Sequence, residues 1–223
     1  MGRPTKLSDQ NKAWFKKSLP KRAFQIRPQR QRILIVCEGE KTEPNYFKSI
    51  QITLPRHIAD VVDIIGLGDN TQSLVNRAKE ICEAEKYSHR PYDEAWVVFD
   101  RDSFEPEKFD NAIQSALSSK IQVAWSNEAF ELWYLLHFED RCTGMCRNEY
   151  KVRLTHHLCE TYQKKDPNMY KKLAAKGNEA QAIKRAKRRQ AEHFGIPPSK
   201  SNPCTKVNEL VERLNEFKQL RGQ

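Results

Sequence analysis

Three carboxylates stand where apolar runs stop. Glu38 directly follows Ile33-Leu-Ile-Val-Cys37, and Asp100 and Asp102 follow Ala95-Trp-Val-Val-Phe99. Both runs are short and rich in β-branched or aromatic residues, as expected of strands buried on both faces of a parallel sheet. If the two strands are neighbours, three hard oxygen donors converge on the sheet edge where open α/β folds place their ligands. Mg²⁺ or Mn²⁺ accepts such donors together with water and phosphate oxygens, and an ion held there can polarise a scissile phosphate. The plainer alternative is that acidic residues end strands because loops are solvated and helix N-termini favour negative charge. Two such ends in one alternating sheet favour the metal site.

The elements that must position these groups are legible from periodicity. After the first strand, Gly39 allows a sharp turn, and Thr42 can cap a helix with Pro44 in its first turn and Phe47, Ile50 and Leu54 on one face. Asp60–Ile65 reads as a second strand, and Asn70 as the cap of a helix carrying Leu74, Ala78, Ile81 and Cys82. The third strand precedes a helix opened by Pro106, with Phe109, Ala112, Ile113, Ala116 and Leu117 on one face. Ile121–Trp125 is the fourth strand, and Ser126 and Asn127 cap the helix that follows. This alternation predicts an α/β domain over 31–140, a mostly parallel four-stranded sheet flanked by helices. Residues 141–223 show no convincing strand and predict a helical extension. Its last helix has Asn202 as cap, Pro203 at its first position and an apolar stripe (Val207, Leu210, Val211, Leu214, Phe217) that packs back onto the sheet.

Other residues could take part in chemistry near that edge. Lys41 could balance phosphate charge or simply be a solvated helix-start lysine, and Ser126 and Asn127 could contact phosphate from a helix N-terminus. Glu131 lies in the apolar segment Ala129–Phe138, so if buried it must find a metal, act as a base or pair with an arginine. Trp133 and Phe130 read as core, and His137 as a core histidine bonded to backbone rather than a proton-transfer group. Cys142, Cys146, His156 and Cys159 have the residue types of a zinc site without its compact spacing, which leaves reduced thiols as the simpler expectation. Lys184, Arg185 and Arg188 form a basic block that favours a nucleic-acid surface over a solvated helix face.

Composition narrows the classes. The chain has 223 residues, 38% of them hydrophobic and 30% charged, with a net charge of +10. Residues 1–32 carry ten Lys or Arg against Asp9 alone; residues 1–30 form a basic arm, either a solubilising tail or a phosphate-following segment with Trp14 and Phe15 available to stack. The balance points to a polyanionic partner, DNA or RNA. No apolar run approaches the roughly 18–20 residues of a membrane span, and the N-terminus lacks a signal-peptide core, so a cytoplasmic location is expected. The six cysteines lack the spacing of a disulfide framework.

A strand ending in Glu-Gly followed by one ending in Asp-x-Asp resembles the Toprim domains of topoisomerases, primases and nucleases. Cys37–Phe47, Val98–Asp102 and Ser126–Phe138 together resemble the RloB family of bacterial, defence-associated proteins. The resemblance implies a Toprim-like (Rossmannoid) fold and a divalent-metal nuclease with Glu38, Asp100 and Asp102 around Mg²⁺ or Mn²⁺. Thr42 and Glu43 depart from the wider Toprim pattern, which leaves the roles of Lys41 and Glu43 open. A reading from another class is a non-catalytic nucleic-acid-binding or regulatory subunit working with a partner ATPase. Nucleotidyl transfer, as in primases, would use the same metal logic.

Overall fold

A computed structural model of the chain describes residues 31–68, 70–102 and 105–219, so the N-terminal arm with Trp14 and Phe15 lies outside the described residues. In chain order the elements are β1 (Ile33–Cys37), α1 (Thr42–Thr53), α2 (Arg56–Ala59), β2 (Val62–Gly66), α3 (Thr71–Glu85), β3 (Glu94–Asp100), α4 (Pro106–Ser118) and β4 (Gln122–Asn127). There follow α5 (Glu131–Leu136), α6 (Arg147–Leu158), α7 (Met169–Lys176), α8 (Glu179–Glu192), β5 (Cys204–Thr205) and α9 (Val207–Gln219). The sheet order is β2-β1-β3-β4-β5, with the first four strands parallel and β5 antiparallel to β4.

β1 is an interior strand, and all five of its residues are fully buried. Its side chains alternate between two cores. Ile33, Ile35 and Cys37 join Phe47, Trp133 and the apolar faces of α6–α9, whereas Leu34 and Val36 face α3 and α4. The sheet is therefore covered on both faces, and the Rossmann-like α/β layering follows from those apolar runs. The α9 stripe packs into the first core, as its spacing predicts. Trp133 and Phe130 are core residues as expected: the Trp133 indole N–H donates to the Tyr46 hydroxyl at 2.7 Å, and Tyr46 meets Phe130 edge to face.

Three local expectations are corrected. The sheet has a fifth strand, because Cys204 and Thr205 pair with Asn127 and Ser126; the Asn202–Pro203 segment leads into that strand, and α9 begins only at Val207. Ser126 and Asn127 consequently belong to β4 and do not cap a helix. Thr42 does not cap α1 either, since its hydroxyl donates to the Lys164 carbonyl at 2.9 Å. Asn70 does cap α3, accepting from the Ser73 amide at 3.0 Å.

Candidate metal centre

The parallel register brings the carboxyl ends of β1 and β3 side by side, with Cys37 opposite Val98. The Glu38 amide donates to the Val98 carbonyl, and the Asp100 amide donates back to Glu38 Oε2 at 3.1 Å. The Thr71 hydroxyl, at the start of α3, is 3.4 Å from Glu38 Oε1. Glu38 and Asp100 are thus fixed by backbone pairing, the most direct way a sequence can place two acids together.

Two further acids come from helix starts. Glu43 lies in the first turn of α1 and Glu131 opens α5; they are 4% and 7% exposed, beside Asp100 at 5%. Gly39 is needed for this packing: a Cβ there would lie 2.0 Å from Glu43 Oε2. Its role is close approach to a carboxylate, since it is absent from the residues with positive φ. Glu131 Oε1 accepts from the Tyr162 hydroxyl at 3.1 Å, and the Lys164 ammonium lies 4.0 Å away.

Burial and like charge dominate the electrostatics. Burial pushes the Glu38 carboxyl up to about 7, reinforced by Glu43 and Asp102 and opposed by the Asp100 amide and the Thr71 hydroxyl. Burial, followed by the charges of Glu43 and Glu131, holds Asp100 well above the usual carboxylate range. Glu43 is raised by burial too, although Lys164 and Arg147 pull it down. Glu43 Oε2, Asp100 Oδ1 and Glu131 Oε2 are buried with no hydrogen-bond partner. Each such oxygen costs free energy unless a proton or a cation satisfies it.

The donor set therefore fits a hard divalent ion in kind: carboxylate oxygens from four residues, three of them orphaned in the interior. Among the described residues, no three His, Cys, Asp or Glu side chains are placed so that they could hold a metal ion as they stand. The rim supplies oxygens of the right kind without a closed shell.

The expected site residues do not all gather at the rim. Glu38, Asp100 and Glu131 come together, and Glu43, left open by the sequence, joins them. Asp102 is paired with Arg147, Nη2 to Oδ2 at 2.8 Å. Lys41 is exposed at the start of α1. Ser126 and Asn127 are fully buried structural groups: Ser126 shares a hydrogen bond with the Thr205 hydroxyl at 2.9 Å, and the Asn127 amide donates to the Pro198 and Ser199 carbonyls.

The basic block on α8 is largely engaged within the fold. Arg185 donates to the Leu136 carbonyl at 2.6 Å and Arg188 to Asp140 at 2.7 Å, while the Lys184 side chain makes no hydrogen bond or ion pair among the described residues. His137 is buried, with burial lowering its imidazole to about 4 and neither ring nitrogen partnered. Cys142, Cys146 and Cys159 are exposed thiols, and His157 stacks on Phe138 and contacts Glu139 at 3.0 Å. Tyr162, Lys164 and Arg147 had no sequence signal, because they reach the rim from the helical region through tertiary packing alone.

A sequence profile described as RloB-like protein matches residues 33–214. The chain belongs to the RloB-like family. The matched region contains β1, the whole carboxylate rim and most of α9, so the family's sequence pattern includes the C-terminal helices that bring Arg147, Tyr162 and Lys164 to the site. No curated protein and no solved structure matches the chain. No helix among the described residues is long and apolar enough to cross a membrane.

Proposed function

We propose that this RloB-like protein is a divalent-metal-dependent nuclease that hydrolyses phosphodiesters of DNA or RNA. The observation that carries this reading is the set of three orphaned carboxylate oxygens, on Glu43, Asp100 and Glu131, gathered beside Glu38 at the carboxyl edge of the sheet. Buried acids of like charge are costly to a fold, and an active site is the common reason for a protein to keep them.

A bound Mg²⁺ or Mn²⁺ would supply Lewis-acid polarisation of the phosphate. Glu38, Glu43, Asp100 and Glu131 would hold it. The Asp100 amide, donating to Glu38 Oε2, fixes Glu38 for that role. The Tyr162 hydroxyl orients Glu131, and Lys164 offsets negative charge as the phosphate approaches. The net charge of +10 favours association with nucleic acid. By resemblance, the setting is anti-phage defence in the bacterial cytoplasm, alone or with a partner ATPase.

The test is incubation of wild type and Glu38→Gln with plasmid, single-stranded DNA, transfer RNA and total RNA, with and without Mn²⁺. Mn²⁺-dependent cleavage lost in the variant supports the reading. Salt-sensitive binding without cleavage of any substrate replaces it with the non-catalytic subunit.

A further inference from the structure

Asp102 belongs to the strand-end motif, yet a cation holds it. Its amide donates to the Glu128 carbonyl at 3.1 Å and its φ is +44°, and rotation of its side chain is enough to change the carboxylate's partner. Arg147 is the first residue of α6, whose start is set by a reciprocal cap between Cys146 and Glu149. The two side chains are 42% and 35% exposed, so both ends of the pair are open to solvent. The Arg147 charge also reaches the buried Glu43, which sets the guanidinium beside the rim. Exposed ion pairs are weakly held, whereas a guanidinium matches the geometry of a phosphate with two parallel donors.

Resting on the reading of the rim as a metal-dependent phosphodiester site, we propose that Arg147 is a substrate-positioning residue that takes a backbone phosphate in exchange for Asp102, which then completes the metal's donor set. Without nucleic acid the Arg147–Asp102 pair withholds one carboxylate. With nucleic acid the phosphodiester occupies the guanidinium, and Asp102 is released toward Glu38 and Asp100. Metal and nucleic acid then strengthen one another's binding by the same factor.

The test is Mn²⁺ binding to the full chain, read from the paramagnetic signal of the free ion. It uses wild type, Arg147→Ala, Arg147→Lys, Asp102→Asn, the Arg147→Ala/Asp102→Asn double variant and Asp100→Asn. Circular dichroism checks each fold. Arg147→Ala is expected to tighten Mn²⁺ binding by about fivefold, the scale of an exposed ion pair, and the gain should vanish in the Asp102→Asn background. Arg147→Lys keeps the charge and stays near wild type. The same Arg147→Ala change should weaken binding of a phosphorothioate single-stranded DNA and lower its salt slope by about one. Unchanged Mn²⁺ affinity in Arg147→Ala, or a gain that persists without Asp102, overturns the exchange while leaving the metal site standing. No Mn²⁺ binding to wild type or any variant overturns the metal reading itself, and the exchange falls with it.

Discussion

At the amino end of the sheet, Arg32 gathers acids around one guanidinium. Its Nε and Nη2 donate to Asp63 at 3.2 and 2.9 Å, Nη1 donates to Glu85 at 2.8 Å, and its face lies over the Tyr92 ring. Even its backbone amide is used, donating to Asp93. At the carboxyl end of the same strands, Glu43, Asp100 and Glu131 are buried beside Glu38, and each of the three leaves an oxygen without a partner. The nearest ammonium, Lys164, stands 4.0 Å from Glu131, at the limit of an ion pair. One edge of the sheet is satisfied by the fold, and the other keeps three carboxylate oxygens unpartnered. That difference separates acids paired within the fold from acids whose oxygens the fold leaves unpaired.

The largest effect should come from removing an unsatisfied acid. Asp100→Asn is expected to lower Mn²⁺-dependent cleavage by at least about a hundredfold while circular dichroism shows an intact fold. Cleavage within a fewfold of wild type would place Asp100 with the structural acids of the other edge.

Next is pH. Glu38 has its folded-state carboxyl raised to about 7, so its stabilising contribution is complete below about pH 4 and is lost as pH rises through 7. His137 has the opposite sense: with its imidazole lowered to about 4, its contribution is present above about pH 6.5 and lost as pH falls toward 4. Each is worth about 3 kcal/mol across its window. In chelator, Glu38→Gln should make urea-measured stability rise more with pH between 5 and 7, and His137→Leu should make it fall more. A slope unchanged by either substitution removes the link between burial and cost.

At the satisfied edge, Arg32→Met should lower stability by about 2 kcal/mol in urea unfolding and leave Mn²⁺ affinity unchanged, since it breaks charged hydrogen bonds remote from the rim. A change in Mn²⁺ affinity would show that the two edges are not independent. Smallest is Gly39→Ala, whose added methyl displaces the Glu43 carboxylate. A loss of about 1 kcal/mol with clearly weaker Mn²⁺ binding is expected. A silent substitution would show that the Glu43 position does not matter.

Much of this was legible in the sequence, and the limits have physical causes. Glu38 and Asp100 were readable because a buried parallel strand announces its own end. The first four strands followed from apolar runs alternating with helical spacing, and α9 from its stripe. Ser126 and Asn127 misled because β4 runs on to pair with Cys204 and Thr205, and a two-residue strand some 80 residues away has no local signature. Arg185 and Arg188 are legible in the sequence as charges, but their partners, Leu136 and Asp140, are not. Glu43 was visible as an acid, but its burial depends on the close approach of Gly39. Tyr162, Lys164 and Arg147 arrive through packing, which leaves no periodic trace.

The central claim is that the rim is destabilised until a cation occupies it. Thermal unfolding of wild type and Asp100→Asn at pH 8, in chelator and in Mn²⁺, tests this most directly. The account predicts that Asp100→Asn melts above wild type in chelator. It also predicts that Mn²⁺ at 100 times its Kd stabilises wild type by about 2.7 kcal/mol and the variant far less. A variant that melts below wild type in chelator, together with no response of wild type to Mn²⁺, would contradict it.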